Sequence, residues 1–183
     1  MLFVFAGPTG AGKDSVINNL VERYIDSYKV PSTVTRARRS GENTGYRYVS
    51  HQEFEKLVKQ DAFLEYVNVH GNDFYGTLKS DIAGACEAKV PVFKILDVDG
   101  YKKVKDAGLD CTGIFIDILD LNELRRRILL RGETKEATEM RLSRVKYERT
   151  MAKYFDYIVS DPDLNKLVDK CAAIIDEKLN KRK

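Results

Sequence analysis

Nine residues near the start of the chain, Gly7-Pro8-Thr9-Gly10-Ala11-Gly12-Lys13-Asp14-Ser15, have the types and spacing to hold a chain of phosphates. They fit the pattern G-x-x-x-x-G-K. Glycine lets the backbone bend around an anion with no Cβ in the way. The N–H groups so exposed, and the N-terminus of a following helix, then point at phosphate oxygens. Lys13 reaches the outer phosphates as a point charge. The pattern carries this meaning only between a strand and a helix, and both flanks are present. Leu2-Phe3-Val4-Phe5-Ala6 is an apolar run typical of a buried strand. Val16, Ile17, Leu20, Val21 and Tyr24 recur at the spacing of one helix face.

Asp14 departs from the pattern, which has Ser or Thr there with a hydroxyl on magnesium. Two readings stay open. The carboxylate is a hard ligand able to hold Mg²⁺ itself, and its charge beside a triphosphate then weakens binding unless the metal is present. Alternatively it points away and only favours the helix N-terminus.

Three further groups carry possible chemistry. Thr35-Arg36-Ala37-Arg38-Arg39-Ser40-Gly41-Glu42 packs three arginines into a turn-rich stretch. Guanidinium forks suit phosphate oxygens, although a solvated basic loop has the same composition. Asp97 and Asp99 follow the apolar run Val92-Phe93-Lys94-Ile95-Leu96. Carboxylates at the C-terminal end of a parallel strand lie where open α/β sheets bind ligands, and these two share a face if the strand continues. Arg127 and Arg131 are four apart, on one face of a charge-rich helix.

The elements that must position these groups alternate between apolar strands and amphipathic helices, which predicts a parallel sheet covered on both faces. After the first helix, Lys29–Ser32 reads as a short strand, and residues 33–48 break the pattern. Ser50-His51-Gln52-Glu53 is a capping box opening a helix with Phe54, Leu57 and Val58. Phe63–Val69 is β-like, Gly71-Asn72-Asp73 turns, and Phe74-Tyr75-Gly76-Thr77 leads into a helix through about Ala88. Ile114-Phe115-Ile116 is a strand, residues 121–131 and about 135–153 are helices around Gly132, and Tyr157-Ile158-Val159 is a final strand. Leu164 to Leu179 carries the apolar stripe of a closing helix. Two stretches, about 32–78 and 121–150, lack a strong core pattern, so each is expected to move relative to the sheet.

At 183 residues the chain is a single domain with a sizeable core. A net charge of +3 is too small to argue for a nucleic-acid partner by itself, and none is expected. No apolar run approaches a membrane span and no signal peptide is expected. Cys86, Cys111 and Cys171 have no metal spacing, and His51 and His70 are isolated. Reduced thiols in a cytoplasmic protein are the expectation.

Taken together, the phosphate loop, the arginine segment, Phe63-Leu64-Glu65, Gly71-Asn72, Tyr75-Gly76-Thr77 and Asp97-Val98-Asp99 resemble guanylate kinase, in the family's order and over nearly the whole chain. The family segment S-x-T-T-R-x-x-R-x-G-E is matched by Ser32, Thr35, Arg36, Arg39, Gly41 and Glu42, with Val34 for one threonine. The resemblance implies an α/β P-loop NTPase fold with core 1–31, 79–120 and 151–183, a GMP-binding insert 32–78 and a helical lid 121–150. It implies transfer of a phosphoryl group from ATP, with Mg²⁺, to GMP, and to dGMP more weakly. Gly7 to Ser15 would bind ATP, with Asp14 beside the metal. Arg36 and Arg39 would hold the GMP phosphate, with Tyr46 (or Tyr48) and Tyr75. Ser32, Glu65, Thr77 and Asp99 would read guanine beside Asp97. Arg127, Arg131 and Arg141 would neutralise the transferring group along with Lys13, while Arg125, Arg126 and Lys135 fit an exposed, salt-bridged face. The chemistry suits the base, because a carboxylate accepts from both N1–H and the 2-amino group and a serine hydroxyl serves O6. Adenine would leave buried groups unpaired.

The chain departs from the family in five further places. Arg141 stands one residue closer than usual, the Asp73-Phe74 turn is one residue longer, and the stretch after Gly45 is short. Asp99 is followed directly by Gly100, and Ser160-Asp161 replaces an asparagine near the adenine. The Gly-Lys-Asp-Ser loop also resembles ribose 1,5-bisphosphate phosphokinase, which has no base to read; Glu65, Ser32 and the paired arginines favour guanylate kinase. A non-catalytic guanylate kinase-like binding module is a third reading, opposed by Lys13, Arg131 and Arg141.

Overall fold

The computed structural model describes residues 1–38, 45–69, 73–130 and 132–181. The chain opens with β1 (Leu2–Ala6), buried along its whole length, and α1 (Lys13–Arg23). Next come β2 (Tyr28–Lys29), β3 (Ser32–Val34), β4 (Tyr46–Tyr48), α2 (His51–Lys59), β5 (Phe63–Val69), β6 (Asp73–Leu78) and α3 (Lys79–Glu87). The second half runs β7 (Val92–Ile95), α4 (Val98–Asp106), β8 (Cys111–Asp117), α5 (Leu121–Leu130), α6 (Lys135–Met151), β9 (Tyr157–Ser160) and α7 (Leu164–Asn180), with one 3₁₀ turn at Ala152–Tyr154.

Two sheets form. The first is parallel, in the order β2-β7-β1-β8-β9, with β1 between β7 and β8. Its two faces build separate cores. Phe3, Phe5 and Phe93 pack under α1 and α7 on one side, and Leu2, Val4 and Phe115 pack with Ile82, Tyr101 and Phe155 on the other. The second sheet, β4-β3-β6-β5, joins β3 to β4 in parallel and β6 antiparallel to both β3 and β5. The expected strand over Lys29–Ser32 is in fact two: β2 ends before Val30 and β3 starts after Pro31, one in each sheet. Proline donates no ladder hydrogen bond, so a strand changes sheets there at little loss.

The expectation of two weakly cored stretches is corrected. Phe54 stacks on Phe63 at 4.4 Å and meets Phe74 and Tyr66, giving residues 32–78 an aromatic core of their own. In the helical pair, Leu124 and Val145 are buried in the main core, and Ile128 is buried too. The signal was hidden because each stretch spends only a few large residues. Arg125 and Arg126 do carry an exposed ion-paired face, on Glu139 and Glu123.

Candidate active site

Gly7 leaves β1 at φ 137°, and a Cβ there would lie 1.9 Å from the Ile116 carbonyl oxygen of β8. Glycine alone fits. The loop turns through Pro8 to Ala11, whose N–H donates to the Pro8 carbonyl, and Gly12 starts α1 at φ 93°. Lys13 folds over the loop, its Nζ donating to the carbonyls of Gly7 at 2.6 Å and Pro8 at 2.9 Å. Gly10 rests on Leu124 and Ile128, so the helical pair underpins the loop.

Asp14 is neither bare nor aimed away. Its carboxylate accepts from Lys29 Nζ at 2.7 Å while its side chain stays 58% exposed. With Thr9, Gly10, Gly12 and Lys13 it lines a cavity that Glu133 and Arg141 close from the helical pair. Among the described residues no three His, Cys, Asp or Glu side chains group to hold a metal. Ser15 is exposed on α1. Mg²⁺ is commonly held by one or two carboxylates together with substrate phosphates, and Asp14 fits that use as one oxygen ligand.

A cleft of about 290 Å³ runs from the phosphate loop to the second sheet. Gly7, Thr9 and Lys13 line one end, and Ser32, Glu65, Tyr75 and Thr77 the other. The second sheet places the far end. β5 and β6 pair Glu65 with Thr77, and a bulge between Phe63 and Glu65 breaks strict alternation. Phe63 therefore packs on Phe54 while Glu65 faces Thr77, whose hydroxyl donates to Oε1 at 2.7 Å. Burial holds the Glu65 carboxyl above the usual range; the Thr77 hydroxyl opposes this and Asp97 adds to it.

Arg36 follows β3 and is only 7% exposed. Its Nε donates to the Tyr75 hydroxyl at 2.7 Å, and its guanidinium lies 4.7 Å from the Tyr46 ring centre and 5.7 Å from that of Tyr48. Both tyrosines thus hold Arg36; Tyr46, the nearer, also lines a small cavity with Asp14, Lys29, Ser32, Tyr75 and Lys94. Arg39, with Gly41 and Glu42, and Arg131 lie outside the described residues.

The carboxylates after β7 do not share a strand face. The strand ends at Ile95, and Asp97 caps α4, accepting from the Gly100 N–H at 2.7 Å. Asp and a following Gly favour a helix start over continued strand. Asp97 still lines the cleft. Asp99 sits in the first turn of α4 and accepts from the Tyr147 hydroxyl of α6 at 2.5 Å. Gly100 leaves room for Glu65, whose Cγ would meet an added Cβ at 3.4 Å.

From the helical pair, Arg141 lines both cavities beside Lys13 and pairs with Glu133 at 2.8 Å. Arg127 lies near Gly12 and donates to Glu123 at 2.7 Å. Hydrogen bonds from Arg126 and Arg127 hold the Glu123 carboxyl down to about 2.

Four contributors escaped the sequence reading. Glu148 gave no signal, being one charge among many, and Lys29 gave none because a lone lysine beside a short strand reads as a solvated side chain. Glu148 lines the cleft, where burial raises its carboxyl and Lys13 opposes the rise. Arg149 grips Asp117 at the end of β8 with both fork nitrogens, at 2.9 and 3.1 Å, and so fixes α6 to the sheet. Lys94 did leave a signal, as a lone lysine inside an apolar run. It is 1% exposed, and burial lowers its ammonium to about 8.

Comparison with known proteins identifies the family. A family model described as guanylate kinase matches residues 1–178. A guanylate kinase of Wolinella succinogenes is 34% identical over 186 residues, covering 99% of this chain and 86% of that protein. One of Thermotoga maritima is 36% identical over 177 residues, covering 95% and 85%. A solved structure of guanylate kinase from Anaplasma phagocytophilum matches with a TM-score of 0.72 at 24% identity, over 98% of this chain and 86% of that one. A shikimate kinase from Acinetobacter baumannii, solved with shikimate, shares the fold at a TM-score of 0.54 and 10% identity.

Proposed function

This chain belongs to the guanylate kinase family, and we propose that it transfers the γ-phosphoryl group of ATP to GMP through the residues of the cleft. The observation that carries the reading is the cleft itself, which joins the lysine of a phosphate loop to a half-buried carboxylate and a buried hydroxyl suited to guanine.

Glu65 accepts from guanine N1–H and the 2-amino group, since its carboxylate has acceptor sites beyond the one Thr77 uses. Ser32 donates to O6. Arg36, steadied by Tyr46 and Tyr75, meets the GMP phosphate with Arg39. The loop N–H groups and Lys13 hold the phosphates of ATP, and Lys13 exchanges two backbone carbonyls for phosphate oxygens. Arg141, with Arg127 and Arg131, neutralises charge that spreads over the transferring group. Asp14 would contribute one oxygen to Mg²⁺ carried by ATP, and the ion would supply positive charge to offset that of the phosphates. Asp97 shapes the base site by capping α4, and Asp99 reaches the 2-amino side once released from Tyr147.

The family's activity carries a cytoplasmic setting. No helix of the described residues is long and apolar enough to cross a membrane. The Gly-Lys-Asp-Ser loop keeps ribose 1,5-bisphosphate as a second acceptor to test, but that sugar leaves Glu65 and Thr77 without a base to read.

The test is a panel of GMP, dGMP, AMP, UMP and ribose 1,5-bisphosphate with ATP and Mg²⁺. GMP is expected to be the best acceptor and dGMP a weaker one. Turnover of ribose 1,5-bisphosphate without turnover of GMP refutes the reading.

A further inference from the structure

We propose that Lys94 is a specificity-positioning residue: it fixes the Ser32 hydroxyl as a hydrogen-bond donor toward the cleft, so that the site takes a 6-oxo purine and rejects a 6-amino one. The inference rests on the guanylate kinase reading above and names a residue which that reading does not use.

Lys94 lies in β7, one strand from the edge of the parallel sheet, on a run that is otherwise apolar. Placing an ammonium there is costly unless its donors find partners. Two partners are present: the Pro31 carbonyl at 3.0 Å and Ser32 Oγ at 2.9 Å. Both belong to the junction where the chain crosses from the first sheet to the second. The lysine therefore tethers the end of the base site to the core strand beside β1.

The direction of the Ser32 contact is set by chemistry. An ammonium has three donors and no acceptor, whereas a hydroxyl has one donor and two lone pairs. The bond between them must run from Lys94 to Ser32. One lone pair of Ser32 is thereby used, and its proton stays available to whatever sits in the cleft. Ser32 lines both the large cleft with Glu65 and the small cavity with Lys94, so it stands between the two. Guanine and hypoxanthine offer O6, an acceptor. Adenine and 2,6-diaminopurine offer an amino group, which Ser32 serves only by turning its proton away and accepting with its one remaining lone pair, a poorer acceptor for the ammonium bound to the same oxygen. Glu65 reads N1 and the 2-amino group; Lys94 acting through Ser32 reads position 6.

The experiment compares kcat/KM for GMP, IMP and 2,6-diaminopurine riboside monophosphate in the wild type, Lys94→Met, Ser32→Ala and the double variant, after thermal unfolding establishes that each is folded. Methionine nearly matches the lysine stem in length and removes the donor. The preference for GMP over the diaminopurine nucleotide is expected to fall about tenfold in Lys94→Met, the worth of one hydrogen bond. The preference for GMP over IMP, which differ only in the 2-amino group, is expected to hold, as is the KM for ATP. Lys94→Met should change the position-6 preference little further once Ser32 is alanine. An unchanged preference in folded Lys94→Met overturns the proposal, as does an equal loss on all three nucleotides, which would place Lys94 on the phosphate. Should Lys94→Met not fold, Lys94→Gln, which keeps a neutral N–H donor, carries the test: a smaller fall supports the proposal and none overturns it. Absence of GMP turnover by the wild type would instead refute the guanylate kinase reading itself.

Discussion

Replacing Glu65 with glutamine tests the base site most directly. On the proposed reading three donors would converge on this side chain with guanine bound: the Thr77 hydroxyl, already in place at 2.7 Å, and two from the base. A carboxylate offers about four acceptor sites and serves all three. The amide of Glu65→Gln has one oxygen and an NH₂ in place of the second. If the oxygen stays with Thr77, the NH₂ faces the donors of the base; if the oxygen turns to the base, the NH₂ turns to the Thr77 hydroxyl, and the base keeps one acceptor oxygen where it had two. Each hydrogen bond to a charged group is worth about 1.5–3 kcal/mol, and an orphaned buried donor costs about 1–3 kcal/mol. A loss of about 2–4 kcal/mol in kcat/KM for GMP follows, or about 30- to 1,000-fold at about 1.4 kcal/mol per factor of ten. ATP touches none of these groups, so its affinity, measured by calorimetry on the same protein, should move less than about twofold. The pH profile adds an independent arm. Burial raises the Glu65 carboxyl above the usual range, and only the ionised form accepts from both guanine donors. Wild-type kcat/KM for GMP should therefore fall on acidification earlier than an ordinary carboxylate would give, and the glutamine variant should lack that fall. A loss under threefold, or equal weakening of ATP and GMP, refutes the assignment.

Four other outcomes are expected. The Lys94 ammonium titrates at about 8 when folded against 10.5 for its ordinary value; between those values the unfolded chain holds a proton that the folded one has lost, so wild-type stability should rise with pH relative to Lys94→Met, by up to about 3 kcal/mol. Urea unfolding of both proteins near neutrality and near pH 10 checks this, and a constant difference refutes it. Because Lys29 pairs with Asp14 at 2.7 Å, the carboxylate's repulsion of metal-free ATP is partly masked; Lys29→Met should steepen the dependence of ATP affinity on Mg²⁺ and Asp14→Ser flatten it, and equal ratios in all three proteins would make Asp14 only a helix-start residue. Gly7→Ala puts a Cβ 1.9 Å from the Ile116 carbonyl oxygen and should cost more than about 2 kcal/mol in thermal or urea unfolding. Residues 32–78 and 121–150 should close over a bisubstrate analogue, excluding water from the phosphoryl group and breaking the Tyr147–Asp99 contact; superimposable structures with and without the analogue would count against it.

What could be read from the sequence divides by the range of the interaction that creates it. The phosphate loop was legible because its requirements are local: glycines between an apolar run and a helix face, all within Leu2 to Tyr24. The capping box of Ser50 and Glu53 was legible for the same reason, and both of its reciprocal bonds form. The helix after β7 was not read although its signal is local too, since Asp97 before Val98-Asp99-Gly100 is a helix cap as readily as a strand end. Glu65 and Thr77 could be named by resemblance, but the bulge that turns Glu65 toward Thr77 depends on Phe63 finding Phe54, nine residues back, and no periodicity announces it. Longest in reach are the charges that face the site from other elements: Lys29 on Asp14, Lys94 on Ser32, Arg149 on Asp117, Tyr147 on Asp99. Each is 15 to 62 residues from its partner, and each except Lys94, which stands out in its apolar run, looks in sequence like one more solvated charge or surface ring. Three of the four adjoin a residue that the family pattern names, Asp14, Ser32 or Asp99. Where this chain departs from the pattern, at Asp14 and at the Asp99-Gly100 junction, the compensating groups are therefore distant ones: Lys29 balances the charge of Asp14, and Tyr147 holds Asp99 from the opposite helix. A variant that restores the family residue at Asp14 should leave Lys29 facing a hydroxyl, and its effect on ATP is expected to depend on whether Lys29 is still present.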